Sequence, residues 1–283
     1  MGKQLTQNDR ERYRRQMMLE GFTAEHQQRL KNTTALVAGV GGLGGTAALY
    51  LAVAGIGRLV LVHQGKLTVS NMNRQVLMRD DAIGTSRVLQ AKKTIRQINP
   101  DVEIEALDER ITGSNVQELL LTSQIALSAR PNFSERRILS KACIEKGIPM
   151  VEAAMNGMEG YIFNVIPQVT SCIHCVYPED DPSWEELGFP VLGAVSGLLG
   201  CIMALEAVKM LAGYGKPLLS EMLVFNTLDM EFRKVRKLFI LFISPIYVLQ
   251  TIRLFFLSMM RNPSNLQLTE QILIALMTTP EKF

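Results

Sequence analysis

The sequence predicts an α/β protein with a doubly wound sheet, an additional mixed or antiparallel region, and a long C-terminal helix. Three observations carry that expectation. Apolar strands and helical stretches alternate through the first half of the chain. The strands "TTALVAG" and "RLVLV" are apolar throughout rather than every second residue, the pattern of parallel strands covered on both faces. A glycine-rich turn joins the first strand to the helix after it.

Taken in order, the chain begins with a charged helical arm over residues 8–30, with "RERYRRQ" near its start. A strand, a glycine turn, an Ala-rich helix and a second strand follow in "TTALVAGVGGLGGTAALYLAVAGIGRLVLV". The helix in "SRVLQAKKTIRQINP" stops at Pro100, which cannot continue it. A strand in "VEIEALDE", a helix from Ser114 and a strand in "SQIALSA" complete a β-α-β-α-β-α-β order. That order is Rossmann-like. After Ile148, "MVEAAMNGMEGYIFNVIPQ" reads as paired strands around a glycine turn. "GAVSGLLGCIMALEAVKMLAGYG" reads as a long apolar helix closed by Gly213. The expected division is an arm over 1–30, a nucleotide-binding domain over 31–237 and an atypical tail over 238–283.

A net charge of +3 is small for a chain of 283 residues and argues against a nucleic-acid partner. The polar start, "MGKQLTQNDRERYRRQ", has no apolar signal-peptide core, so the expected setting is cytoplasmic and reducing. The tail departs from the rest. Beside the basic run "RKVRK", residues 238–260 form a contiguous apolar segment of bilayer-spanning length. Pro245 interrupts it, and Arg253 would cost about 2.5–3.5 kcal/mol near a membrane centre. Packing on the body or a partner, and contact with a membrane, both stay open for it.

"GVGGLG" contains G-x-G-x-x-G through Gly39, Gly41 and Gly44, with Gly42 between them. Following a strand and opening a helix, it suits nucleotide phosphates: a tight turn, a close backbone approach, and a helix N-terminus facing the anion. A tight turn with no ligand is the plainer alternative. A dinucleotide site would also place an acid at the end of the second strand to hold the ribose hydroxyls. Here "LVLVHQGK" puts His63 there, which offers one hydrogen bond where a carboxylate takes two, unless it is a histidine merely exposed to solvent. "SNMNRQ" gathers Asn71, Asn73, Arg74 and Gln75 into one polar loop that is costly to order without a ligand. Arg74 suits phosphate, Arg87 in "GTSR" stands at a helix N-terminus, and Arg15 offers a third cation. Singly, each also reads as a solvated charge.

Over residues 10–237 these motifs resemble the MoeB/ThiF/HesA family, the bacterial relatives of ubiquitin-activating enzymes. The resemblance runs through "RYRRQ", "GVGGLGGTAALYLAVAGIGRLVLV", "SNMNRQVLM", "INPDVEI", "PMVEAAMNGMEGY" and "ALEAVKMLAGYGKPLLS". It is nearest the HesA branch, which is associated with nitrogen-fixation genes and metallocluster assembly. It implies a homodimer that binds ATP and magnesium and adenylates the C-terminal glycine of a small ubiquitin-like sulfur-carrier protein. By resemblance, Gly39, Gly41, Gly42 and Gly44 form the phosphate loop. Asn71, Arg74 and Gln75 match the ATP loop, Arg87 stands in place of a catalytic lysine, and Arg15 reaches into the partner protomer's site.

The chain departs from that pattern in three places. His63 replaces the ribose acid. After the fourth strand, "SARPN" stands where the family has "DCTDN": Ser128 and Pro131 replace the acids, and Asn132 remains. Losing the second acid removes an oxygen ligand for magnesium, and Arg130 adds a charge that repels the metal. Cys172 and Cys175 supply one C-x-x-C pair, but no cysteine or histidine follows Cys201, so the zinc site is incomplete and zinc is not expected. Two functions follow as expectations: an E1-like adenylyltransferase with Arg15, Arg74 and Arg87 as catalytic cations, or a nucleotide-binding scaffold that docks a partner without catalysis.

Overall fold

Strand β1 (Thr34–Ala38) lies at the centre of a sheet ordered β3-β2-β1-β4-β5-β6-β7-β8. The computed structural model describes residues 2–177 and 189–236, and the tail of residues 238–260 lies outside them. The first five strands of that order are β3 (Glu103–Leu107), β2 (Arg58–Val62), β1, β4 (Ile125–Ser128) and β5 (Met150–Asn156), all mutually parallel. All of Leu59–Val62 and Ala35–Ala38 are buried, as full-length apolar strands under helices on both faces require. The direction reverses at Gly157, which at φ 61 turns β5 back into antiparallel β6 (Glu159–Val165). Strands β7 (Glu221–Asn226) and β8 (Glu231–Arg236) extend the antiparallel part. The mixed sheet is the one expected.

The helices are α1 (Gln7–Arg12), α2 (Ala24–Lys31), α3 (Gly42–Ala54), α4 (Arg87–Ile98), α5 (Val116–Leu119), α6 (Phe133–Lys146), α7 (Ile173–Val176) and α8 (Gly193–Ala212). Helix α3 leaves the glycine turn and packs on α8, whose buried Val195, Leu199, Met203 and Ala207 join the core formed by Ala47, Ala48 and Leu51. Gly213, at φ 71, ends α8 as expected. Among the described helices α8 alone is long and apolar enough to cross a membrane, and its buried face is core.

Three sequence expectations change in detail. The arm over 8–30 is not one helix: a 3-10 turn at Gln16–Met18 and a break at Gly21 separate α1 from α2. The helix expected from Ser114 is the single turn α5. Arg233, Lys234 and Arg236 of the basic run belong to the edge strand β8, where Arg233 pairs with Glu231 and Lys234 with Glu221.

Of the described residues, 2–173 and 189–236 form one unit, and 174–177 are not part of it. Within that unit the arm is bonded to the body. Asn99 Nδ2 donates to the Tyr13 hydroxyl at 2.9 Å and to Ala52 O at 2.7 Å. Gln16 and Gln27 both donate to Ala54 O, and buried Asp9 pairs with Lys31. Every one of these anchors but the Asp9 pair closes on the C-terminal end of α3, the end away from the glycine turn.

Candidate functional site

The site grows from the carboxyl end of β1. Gly39, at φ +101, donates to Val62 O at 2.8 Å, and a Cβ there would lie 2.7 Å from Ala129 O. At Gly44 a Cβ would fall 1.8 Å from Gly39 O. Both positions therefore require glycine, and the result is a turn pressed flat against the strand ends. Gly41 is the N-cap of α3, whose first-turn N–H groups have no helical acceptor. They give this end of α3 its affinity for anions.

Two further walls close on that turn. A Cβ at Gly41 would stand 3.9 Å from Gln75 Nε2, and one at Gly42 would stand 3.5 Å from Arg74 Cγ and 2.6 Å from Ser196 Oγ. The loop Asn71–Gln75 and the start of α8 thus meet the glycine turn directly. The loop is ordered by its own bonds: Thr68 N donates to Asn71 Oδ1 at 3.0 Å, and Gln75 N donates to Asn71 O. This modifies the expectation that a ligand is needed to order it. Gln75 is buried, and its Oε1 has no partner among the described residues. Arg74 Nη1 donates to Ser70 O and Asn73 Oδ1, holding the guanidinium beside the turn.

Arg87 is the first residue of α4, with Nε 3.4 Å from Gly65 O and Nη2 3.3 Å from Gln64 O. Burial lowers its pKa, as do the nearby Arg130 and Arg74 guanidinium groups, while Asp108 opposes them. Arg74, Arg87 and Arg130 therefore share one electrostatic neighbourhood beside the glycine turn.

His63 is buried rather than solvent-exposed. Its Nδ1 accepts the Val40 N–H at 3.2 Å and faces Arg130 Nη1 at 3.1 Å. Both neighbours are donors, so Nδ1 is unprotonated and the ring's proton sits on Nε2. Burial, then the charges of Arg87 and Arg130, push the His63 pKa down to about 2, so the ring is neutral. Nε2 is enclosed and has no partner among the described residues. The expected contact from His63 to a ribose is replaced by a bond to the glycine turn itself.

Arg130 does not add an uncompensated charge, as the sequence suggested. Its Nη2 donates to Glu135 Oε1 at 2.9 Å, and its Nε stands 2.8 Å from Oε2. Burial pushes the Glu135 carboxyl up, but hydrogen bonds from Arg130, Asn132 and the Ile111 N–H outweigh it and hold it below the usual range. Asn132 caps α6, accepting from Glu135 N at 2.8 Å and donating to Glu135 Oε1 at 3.0 Å. Ser128 is fully buried beneath. Sequence reasoning missed Glu135, although the Asn132-x-x-Glu135 spacing is the mark of a capped helix start.

The ThiF family model matches residues 13–239. The chain belongs to the ThiF family. This ThiF-family chain is 55% identical over 232 residues to Protein HesA of Leptolyngbya boryana, covering 82% of this chain and 83% of that protein. It is 34% identical over 240 residues to the sulfur carrier protein adenylyltransferase of Thermus thermophilus, covering 81% and 88%. Among solved structures it resembles the crystal structure of PaaA, with a TM-score of 0.73, 25% identity and coverage of 84% and 86%.

Of the three cations expected from the sequence, Arg15 is the one that the fold does not bring to the others. It is exposed just after α1, near Tyr13, whose hydroxyl is tied through Asn99 to Ala52. The 13 residues of α3 separate Ala52 from the glycine turn by about 15–20 Å. Cys172 is half-buried and Cys175 exposed, and no group of three or more metal-ligating side chains occurs among the described residues.

Proposed function

We propose that this chain binds ATP between Gly39–Gly44 and Asn71–Gln75 and transfers its adenylyl group to the C-terminal carboxylate of a small ubiquitin-like sulfur-carrier protein. The observation that carries this reading is that Arg74 stands against the glycine turn at the N-terminus of α3, with Arg87 within electrostatic reach of Arg74 and Arg130. A carboxylate oxygen attacks the α-phosphorus, the bond to the bridging oxygen breaks, and pyrophosphate leaves with the electron pair. Charge growing on the leaving pyrophosphate is offset by Arg74 and Arg87, donors already oriented by backbone carbonyls. The relative named for sulfur-carrier adenylylation supports the choice of acceptor. A role in sulfur or metallocofactor assembly, nitrogenase clusters included, belongs to this reading through the resemblance to the HesA branch.

The working form on this reading is a cytoplasmic homodimer in which Arg15 serves the partner's site. Its distance from the site of its own chain supports that role. So do exposed apolar side chains: Tyr50 and Val53 of α3 and Leu205 of α8, two helices that pack together, and Met18 and Leu19 following Arg15. Magnesium does not fit the loop after β4, because the oxygens of Glu135 and the Asn132 carbonyl are committed to Arg130, Ile111 and the α6 cap. No step is assigned to a metal. Zinc is not assigned to Cys172 and Cys175, and membrane contact is left to residues 238–260.

A second reading is favoured by the same closed Arg130–Glu135 pair: a nucleotide-binding scaffold that docks its partner without chemistry. Exchange of labelled pyrophosphate into ATP, dependent on an added carrier protein, separates the two. Carrier-dependent exchange is expected; a chain that binds both ATP and carrier but exchanges nothing is the scaffold.

A further inference from the structure

If His63 is spent on the glycine turn, the ribose of a bound nucleotide needs its acceptor from elsewhere. The sheet supplies one. Strands β2 and β3 run parallel in the register Val62↔Leu107, and the ladder continues with His63 N donating to Leu107 O at 3.1 Å. The next step pairs the position of the missing acid with Asp108. Asp108 is exposed at the carboxyl end of β3, on the side of the sheet from which the glycine turn and Arg87 are reached. Its Oδ1 accepts the Gly65 N–H at 3.2 Å, and the same Gly65 offers its carbonyl to Arg87. The carboxylate is thus fixed on the loop that carries the phosphate-facing cation, and its charge is felt by Arg87.

We infer that Asp108 is the ribose-recognising residue of this site, a carboxylate moved one strand over from the end of β2 to the end of β3. The inference rests on the ATP reading above. An ionised carboxylate has about four lone-pair sites, and the Gly65 N–H uses only one. Oδ2 has no hydrogen-bond partner among the described residues, and the side chain is exposed. Two vicinal hydroxyls can be taken by such a group, whereas the enclosed Nε2–H of His63 could take neither.

The test compares ATP with 2′-deoxyATP by calorimetry on the full chain and on Asp108→Asn, which keeps an acceptor for the Gly65 N–H. The unaltered protein should prefer ATP by about tenfold, the effect of one hydrogen bond to a charged group. Asp108→Asn should lose that preference, with a smaller loss for 2′-deoxyATP, which keeps its 3′ hydroxyl, than for ATP. Equal affinities of the unaltered protein for ATP and 2′-deoxyATP would overturn the inference and leave the nucleotide site standing. So would a preference that survives in Asp108→Asn. Failure to bind any nucleotide or tripolyphosphate would overturn the ATP reading itself, and this inference with it.

Discussion

Arg130 Nη1 and the Val40 N–H both point at one atom, Nδ1 of His63, at 3.1 Å and 3.2 Å. Three segments are joined there: the loop after β4, the end of β2 and the glycine turn. The join works only while Nδ1 keeps its lone pair, so protonating His63 there would set a cation against a guanidinium and turn an acceptor into a donor.

This gives a pH dependence with a definite sign. The His63 pKa is about 2 in the folded chain against 6.5 for a free histidine, so the unfolded state binds the extra proton between those values. The contribution is complete above pH 6.5 and is lost as pH falls, by up to about 1.4 kcal/mol per unit. Glu135, also held low, acts in the same direction but only below its ordinary value of 4.5. Glu159, raised by burial and by Asp229, acts in the opposite direction, so the loss of stability from 6.5 down to 5 is assigned to His63. Denaturant midpoints should fall across that window in the unaltered protein and fall less in His63→Gln. Equal slopes in the two proteins would remove His63 as the cause.

The Arg130–Glu135 pair is buried on both sides, each side chain about 6% exposed. Breaking one partner strands the other charge, so Glu135→Ala should cost about 3–5 kcal/mol of stability. Arg130→Gln with Glu135→Gln, which removes both charges together, should cost clearly less than the sum of the two single changes. Urea unfolding of the three variants decides this. A double variant as unstable as the sum of the singles would show that the two residues do not act as a pair.

How much of this was legible beforehand depends on the kind of signal. The strand–turn–helix around Gly39–Gly44 was readable because sterics at Gly39 and Gly44 tie residue type to backbone shape. The hairpin at Gly157 was readable for the same reason. Strands β7 and β8 were not: their turn holds Leu228, Asp229 and Met230, with Met230 at φ 60 and no glycine to mark it. The polar alternation of an edge strand then looked like a charge run. The burial of His63 was invisible because a residue just past a strand end has no periodicity to assign its face. Arg130 reads as a repelling charge without its partner, and Asp108 carries no signal because the register that sets it beside His63 belongs to strand pairing, not to spacing along the chain.

Magnesium should matter little to nucleotide binding. The loop after β4 offers no uncommitted carboxylate, so on the ATP reading the metal's usual contribution from a protein oxygen is missing and Arg74 and Arg87 would meet the phosphates directly. Titrations of ATP in EDTA and in magnesium should give affinities within about threefold, less than one hydrogen bond to a charged group is worth. Pro131→Asp should make the two differ, with magnesium now favoured. If EDTA abolishes binding by the unaltered chain, the metal is held by groups other than those named.

The position of Arg15 makes the last prediction. It lies with the anchors that tie the arm to the far end of α3, while Arg74 lies at the near end. If Arg15 completes the partner's site, Arg15→Ala and Arg74→Ala should each abolish pyrophosphate exchange as homodimers. Mixed one to one and allowed to exchange subunits, they form heterodimers in about half of the assemblies. One site of each heterodimer then has both arginines intact, so activity should recover to about one quarter of the unaltered level. The signature is specific to a residue acting across the interface. An arginine serving its own chain gives no intact site in any mixture, and a mixture that stays at the level of the single variants would place Arg15 outside the reaction or inside its own protomer's site.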